Sequence, residues 1–200
     1  MKRMIAALAL SLTLAACAGA GPAPVYADPF QGLLNQSSST VPIDRPITVQ
    51  QPIGLIFSNN VETWFRYVSK GQESAKAWGS LTNYVVVADV DPHFVASRVV
   101  AMLKVHYPNI ELVQDFNEAI ATGKKSICLV DMQPVSGGVS GGTTTVDITA
   151  FFFDAKMQPV TKMSGHGSGV VPYPAWDIRL QPSTDAAVAQ LDQKISALVR

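Results

Sequence analysis

From Pro52 onward, apolar and polar positions fall into regular periods. Ile53-Gly54-Leu55-Ile56-Phe57 is an apolar run of strand length, and Ser58-Asn59-Asn60 behind it offers helix caps. Val61, Trp64, Phe65 and Val68 then stand at i, i+3, i+4 and i+7, which predicts a helix ending at Gly71; the aromatic and β-branched content of the stretch also fits a strand. Tyr84-Val85-Val86-Val87-Ala88-Asp89-Val90 is a continuous apolar run, the pattern of a central strand covered on both faces. A helix is predicted next. Asp91 is placed to cap its free amides, Pro92 stands where a missing N–H costs nothing, and Phe94, Val95, Val99, Met102 and Leu103 make one apolar stripe that Pro108 ends.

The second half of the chain changes period. Ile110-Glu111-Leu112-Val113 reads as a short strand. Asp115 and Glu118 have the reciprocal capping spacing, so a short helix is expected there, ending at Gly123. Ser126–Met132 returns as a strand, and Ser136 to Gly142 is a glycine-rich loop. Val146, Ile148, Ala150 and Phe152 then alternate with Thr145, Asp147, Thr149 and Phe151, the two-residue period of a half-covered strand. Asp154 to Pro159 turns the chain and Val160–Ser168 runs back as the hairpin partner. After a proline-rich crossing at Pro172-Tyr173-Pro174-Ala175-Trp176, a last helix starting near Ser183-Thr184-Asp185 is expected to bury Val188, Leu191, Ile195 and Leu198. This order specifies an α/β fold: a single mixed sheet with a C-terminal antiparallel hairpin and helices packed on it, formed by residues 49–200.

The N-terminal quarter has no such period. Met1-Lys2-Arg3-Met4 is a basic start, an apolar run too short to span a bilayer follows, and Leu14-Ala15-Ala16 places small residues before Cys17. Residues 1–16 therefore read as a secretory signal peptide. Residues 17–48 are rich in Ala, Gly, Pro and Ser and nearly uncharged, and prolines at 22, 24, 29, 42 and 46 interrupt any ladder. The plain reading is a flexible spacer with a root-mean-square reach of roughly 30 Å. A second reading notes Tyr26, Phe30, Leu33 and Leu34, apolar groups that could dock on a partner.

Charge and cysteine content narrow the classes. Lys plus Arg and Asp plus Glu are both 15, and loss of Lys2 and Arg3 with the signal turns the balance slightly acidic, so nothing predicts a nucleic-acid partner. Cys128 is the only cysteine besides Cys17; its apolar surroundings read as a buried strand and a core thiol rather than a nucleophile.

Chemistry-bearing groups are few. Asp89 and Asp91 follow the apolar strand and could hold a divalent cation or attack a phosphate, as in haloacid-dehalogenase phosphatases, but Asp91 before Pro92 is also an excellent helix cap. Thr122-Gly123-Lys124-Lys125-Ser126 imitates the end of a phosphate loop, yet it lacks the upstream glycine and enters a strand. His166, within Ser164-Gly165-His166-Gly167-Ser168-Gly169, is a candidate ligand-binding residue, although the glycines fit a bend or a close backbone approach at the end of the hairpin better. His93 and His106 are too far apart on one helix to share a metal, and no His-x-x-x-His or Cys-x-x-Cys spacing occurs. No catalytic residue, metal site or cofactor is predicted. Trp64, Trp78 and Trp176 read as core or edge aromatics, any exposed one being a possible anchor for a partner.

Leu14-Ala15-Ala16-Cys17 resembles the lipobox of bacterial lipoprotein signals. The resemblance implies cleavage before Cys17, a lipid on its sulfur and an acylated new N-terminus, with fatty chains such as palmitate holding the protein to a membrane. With Cys17 so modified, no intrachain disulfide is possible. Ala18, where an Asp would signal inner-membrane retention, implies a periplasm-facing place on the outer membrane of a Gram-negative host. Together with the proline-rich tether, the strand–helix–strand core and the hairpin turn Phe153 to Val160, the lipobox makes the chain similar to curli-secretion lipoproteins, penicillin-binding-protein activators and the N-terminal domain of the Tol-Pal β-propeller protein. What this implies is a non-enzymatic accessory or assembly factor that binds an envelope protein. The alternatives are a periplasmic metal-dependent hydrolase using Asp89 and Asp91, and a lipoprotein that binds a small ligand near His166.

Overall fold

The computed structural model describes residues 23–29, 48–78, 90–136, 142–171 and 180–198. The expected strand over 84–90 falls almost wholly outside them, as do Cys17, Asp89 and Trp176. The described elements are β1 (Ile53–Phe57), α1 (Asn59–Trp78), α2 (Phe94–His106), β2 (Ile110–Leu112), α3 (Phe116–Ala121), β3 (Ser126–Val135), β4 (Gly142–Asp154), β5 (Pro159–Val171) and α4 (Gln181–Leu198). The strands form one mixed sheet in the order β2-β1-β3-β4-β5. β1 pairs in parallel with β2 and β3, while β3–β4 and β4–β5 are antiparallel. This is the α/β fold expected from the pattern, with the C-terminal hairpin built by β4 and β5.

β3 lies at the centre of the sheet, and Ser126 to Met132 are all buried, as a strand covered on both faces requires. Alternation sorts its side chains. Cys128, Val130 and Met132 join Ile53, Leu55, Val146, Ile148, Ala150 and Phe152 in the main core. Trp64 and Val68 of α1, Val99 and Leu103 of α2, and Leu191 and Ile195 of α4 complete that core. Ile127 and Leu129 point the other way, into a smaller core with Ile56, Val113, Ala119, Phe151 and Phe153 under α3. The Phe116 and Phe153 rings meet there edge to face, 5.9 Å between centroids.

Three helix boundaries differ from the sequence reading. α1 does not end at Gly71 but continues to Trp78. A glycine inside a helix costs about 1 kcal/mol relative to Ala, which the buried face of a 20-residue helix outweighs. α2 starts at Phe94, and Asp91 holds the turn before it: its Oδ1 accepts the His93 N–H at 2.9 Å, and His93 itself takes the cap position without a side-chain bond. α4 begins at Gln181, two residues before the expected start.

The short helix is capped by Asp115 as the spacing predicts, with the return bond of Glu118 falling one residue earlier, on Gln114. Asp115 Oδ1 accepts the Glu118 N–H at 2.8 Å, and the Glu118 carboxylate accepts the Gln114 N–H at 2.5 Å. Gly123, at φ +71°, then ends it, with Gly123 N–H donating to the Ile120 carbonyl and Lys124 N–H to that of Ala119. The imitation phosphate loop is thus a helix stop: Lys124 is buried and its Nζ pairs with Glu111 on β2.

The glycines around His166 have a packing cause. A Cβ on Gly167 would lie 1.8 Å from the Ser183 carbonyl oxygen, and one on Gly165 would lie 2.0 Å from that of Ala187. α4 therefore rests directly on the backbone of β5, which only residues without a side chain permit.

Candidate functional site

The sequence-predicted residues do not converge. Asp91 is exposed, with its carboxylate on the His93 amide. His166 sits on β5 opposite Asp147 of β4, its Nδ1 2.7 Å from Asp147 Oδ1, and its backbone N–H donates to Gln190 Oε1 of α4 at 2.7 Å. Both members of the pair are more than half exposed. They begin a row of cross-strand pairs on the face opposite the main core: Asp147 with His166, Thr149 with Ser164 at 3.1 Å, and Lys162 Nζ 5.1 Å above the Phe151 ring. Among the described residues, no group of three or more His, Cys, Asp or Glu side chains is arranged to hold a metal ion. Cys128 is fully buried and burial pushes its thiol far up, so it stays protonated as a core residue.

The structure brings together a different set, where the C-terminal end of β1 meets the middle of β3. Asp131 interrupts the apolar run of β3 and is buried, 5% exposed. A carboxylate in that position must be hydrogen-bonded. Its Oδ1 accepts from Ser58 Oγ at 2.5 Å and from Asn60 Nδ2 at 2.8 Å, and its Oδ2 accepts from Gln133 Nε2 at 2.8 Å. Ser58 leads from β1 into α1, and its N–H donates to the Val130 carbonyl, so backbone pairing sets the distance between the hydroxyl and the acid. Asn60, at 2% exposed, stands in the first turn of α1.

Residues 23–29 lie on this cluster. Ala27 N–H donates to Asn60 Oδ1 at 2.9 Å, and Asn60 Nδ2 donates back to the Ala27 carbonyl at 2.8 Å. The Tyr26 hydroxyl donates to the Pro134 carbonyl on β3. Burial, then the Asp131 carboxylate, then Tyr67 raise the Tyr26 phenol well above its usual range. The sequence marks Tyr26 as an apolar group in the tether but not where it sits. The available signal was Asp131, the one acid inside Ile127-Cys128-Leu129-Val130-Asp131-Met132. What could not be read was that Ser58 and Asn60, noted only as caps, turn toward it.

No family model and no curated protein matches the chain. Among solved structures, it is similar to the PelC dodecamer from Paraburkholderia phytofirmans, seen in two crystal forms, with TM-scores of 0.47 and 0.42 at 10% identity over 78% of this chain and 94% of that one. A hypothetical protein from Chlamydia trachomatis gives a TM-score of 0.37 at 7% identity, covering 74% of this chain and 94% of its own. A lipoprotein from Neisseria meningitidis gives 0.26 at 12%, covering 60% and 84%. All lie below a TM-score of 0.5, and none bears on what this chain does.

Proposed function

We propose that this chain is a lipid-anchored envelope protein, held on the periplasmic side of the outer membrane, that serves an envelope or transport assembly by binding another protein without catalysing a reaction. One observation carries the reading: Leu14-Ala15-Ala16-Cys17 follows a basic start and a short apolar run. One oxygen of the Asp91 carboxylate is engaged with a backbone amide, and His166 pairs with Asp147 on an exposed part of the β4–β5 hairpin. No helix among the described residues is long and apolar enough to cross a membrane.

Cys17→Ser tests the anchor. Acyl chains supply about 0.8 kcal/mol per buried CH₂, and the variant lacks the sulfur that carries them. The expected result is a chain that leaves the membrane fraction or accumulates with its signal uncleaved. Normal cleavage together with unchanged membrane fractionation refutes the lipoprotein reading.

A further inference from the structure

We propose that Asn60, Asp131 and the Pro134 carbonyl form a docking site for one extended backbone segment, that residues 23–29 fill it, and that this latch rather than Thr48 is where the N-terminal chain takes hold of the domain.

The geometry of Asn60 carries the inference. Its amide offers two N–H donors and one acceptor oxygen. One N–H goes to Asp131, which can only accept and therefore fixes which way the amide faces. The other N–H and the oxygen are left pointing outward, and both are taken by a single residue, Ala27, through its C=O and N–H. Two reciprocal bonds to one residue's backbone are how a strand neighbour is held, and they read extended backbone rather than a particular side chain. Asn60 is 2% exposed with the segment in place, so residues 23–29 are part of what shields its amide from water. The segment itself has the matching period: Pro24 and Tyr26 turn inward, while Val25 between them is 88% exposed. Tyr26 supplies the second hold, partly buried and with its hydroxyl donating to the Pro134 carbonyl.

The consequence rests on the proposed lipidation of Cys17. Tyr26 is 9 positions along the chain from Cys17, against 31 for Thr48. At full extension these spans reach about 30 Å and about 100 Å. The latch thus keeps the end of the domain that carries Asp131 and the start of α1 within about 30 Å of the bilayer and gives the domain one preferred face toward it.

Hydrogen exchange on the full chain tests the latch without needing the lipid. In the wild type, exchange of the peptide covering residues 23–29 should be at least about tenfold slower than in an unstructured chain. Ala27→Pro removes the donated N–H from the segment and leaves the domain untouched; Asn60→Ala removes the receptor from the other side. Both should abolish the protection, and Ala27→Pro should do so with the melting curve unchanged. Exchange at the unstructured rate in the wild type, or full protection surviving in Ala27→Pro, overturns the proposal. For the membrane consequence, energy transfer from a dye on the domain to a lipid acceptor should fall in the Ala27→Pro chain, and unchanged transfer overturns the claim that the latch shortens the tether. A failed anchor appears separately, as unchanged fractionation of Cys17→Ser beside intact protection of residues 23–29.

Discussion

On β4, Ile148 is fully buried and its neighbour Thr149 is only partly buried, and the contrast holds along the strand from Thr144 to Ala150. Ile148 faces α1, α2 and α4 in the main core. Thr149 faces the other side, where α3 is the one helix among the described residues that lies on the sheet, and covers β1, the first half of β3 and the Phe151–Phe153 end of β4. One face is held by burial, at about 25 cal/mol per Å² of apolar surface removed from water. The other is held, toward its β4–β5 edge, by pairs such as Asp147 with His166 and Thr149 with Ser164, each worth a fraction of a kcal/mol. The same strand therefore carries the protein's most sensitive and most tolerant positions side by side. Where the smaller core begins, at Phe151, Phe152 and Phe153, the alternation of burial disappears because both faces are covered.

A charge placed on each face gives the largest expected difference. Ile148→Asp puts an unpaired carboxylate into the main core and should cost about 4 kcal/mol or more, enough to unfold a marginal domain. Thr149→Asp should cost about 1 kcal/mol or less. Urea melts of the two variants would break the comparison if they gave equal midpoints.

Alkaline pH sharpens it next. Burial raises the Cys128 thiol and the Tyr107 phenol, both on the main-core side. The folded protein then keeps protons that the unfolded chain releases, so stability must fall as pH rises past the unfolded values, near 8.5 for the thiol and near 10 for the phenol. Each group contributes a slope of at most about 1.4 kcal/mol per pH unit above its own value. Cys128→Ala should flatten the fall that starts near pH 8.5, as read from melts between pH 7 and 10. A slope unchanged by that substitution would mean that the thiol does not titrate between the two states.

The smallest effect belongs to the polar ladder. His166→Ala removes a pair whose members are more than half exposed, and should change stability by less than about 1 kcal/mol at low salt, and less again at high salt. A loss above about 2 kcal/mol in the same melts would show that the open face is more tightly built than its exposure indicates.

The sequence by itself determined most of the architecture, because period and capping are local. Five residues from Ile53, the alternation through Val146 and Phe152, the Asp115–Glu118 cap and the stripe of α4 each announce their element within a few positions. Local signals failed where a distant surface decided. Gly71 is passed by because its helix has a face to bury, and α4 sits against Gly165 and Gly167, two positions whose value depends on what approaches them from elsewhere in the chain. The meeting of Asp131 with Ser58, Asn60 and Ala27 is of the same kind. Asp131 lies 71 to 104 positions from the other three, and none carries a pattern that names its partner. Only the parallel pairing of β1 with β3 sets the end of one strand beside the acid of the other, and only a buried carboxylate's need for donors turns the asparagine so that its remaining amide groups face outward to hold a passing backbone.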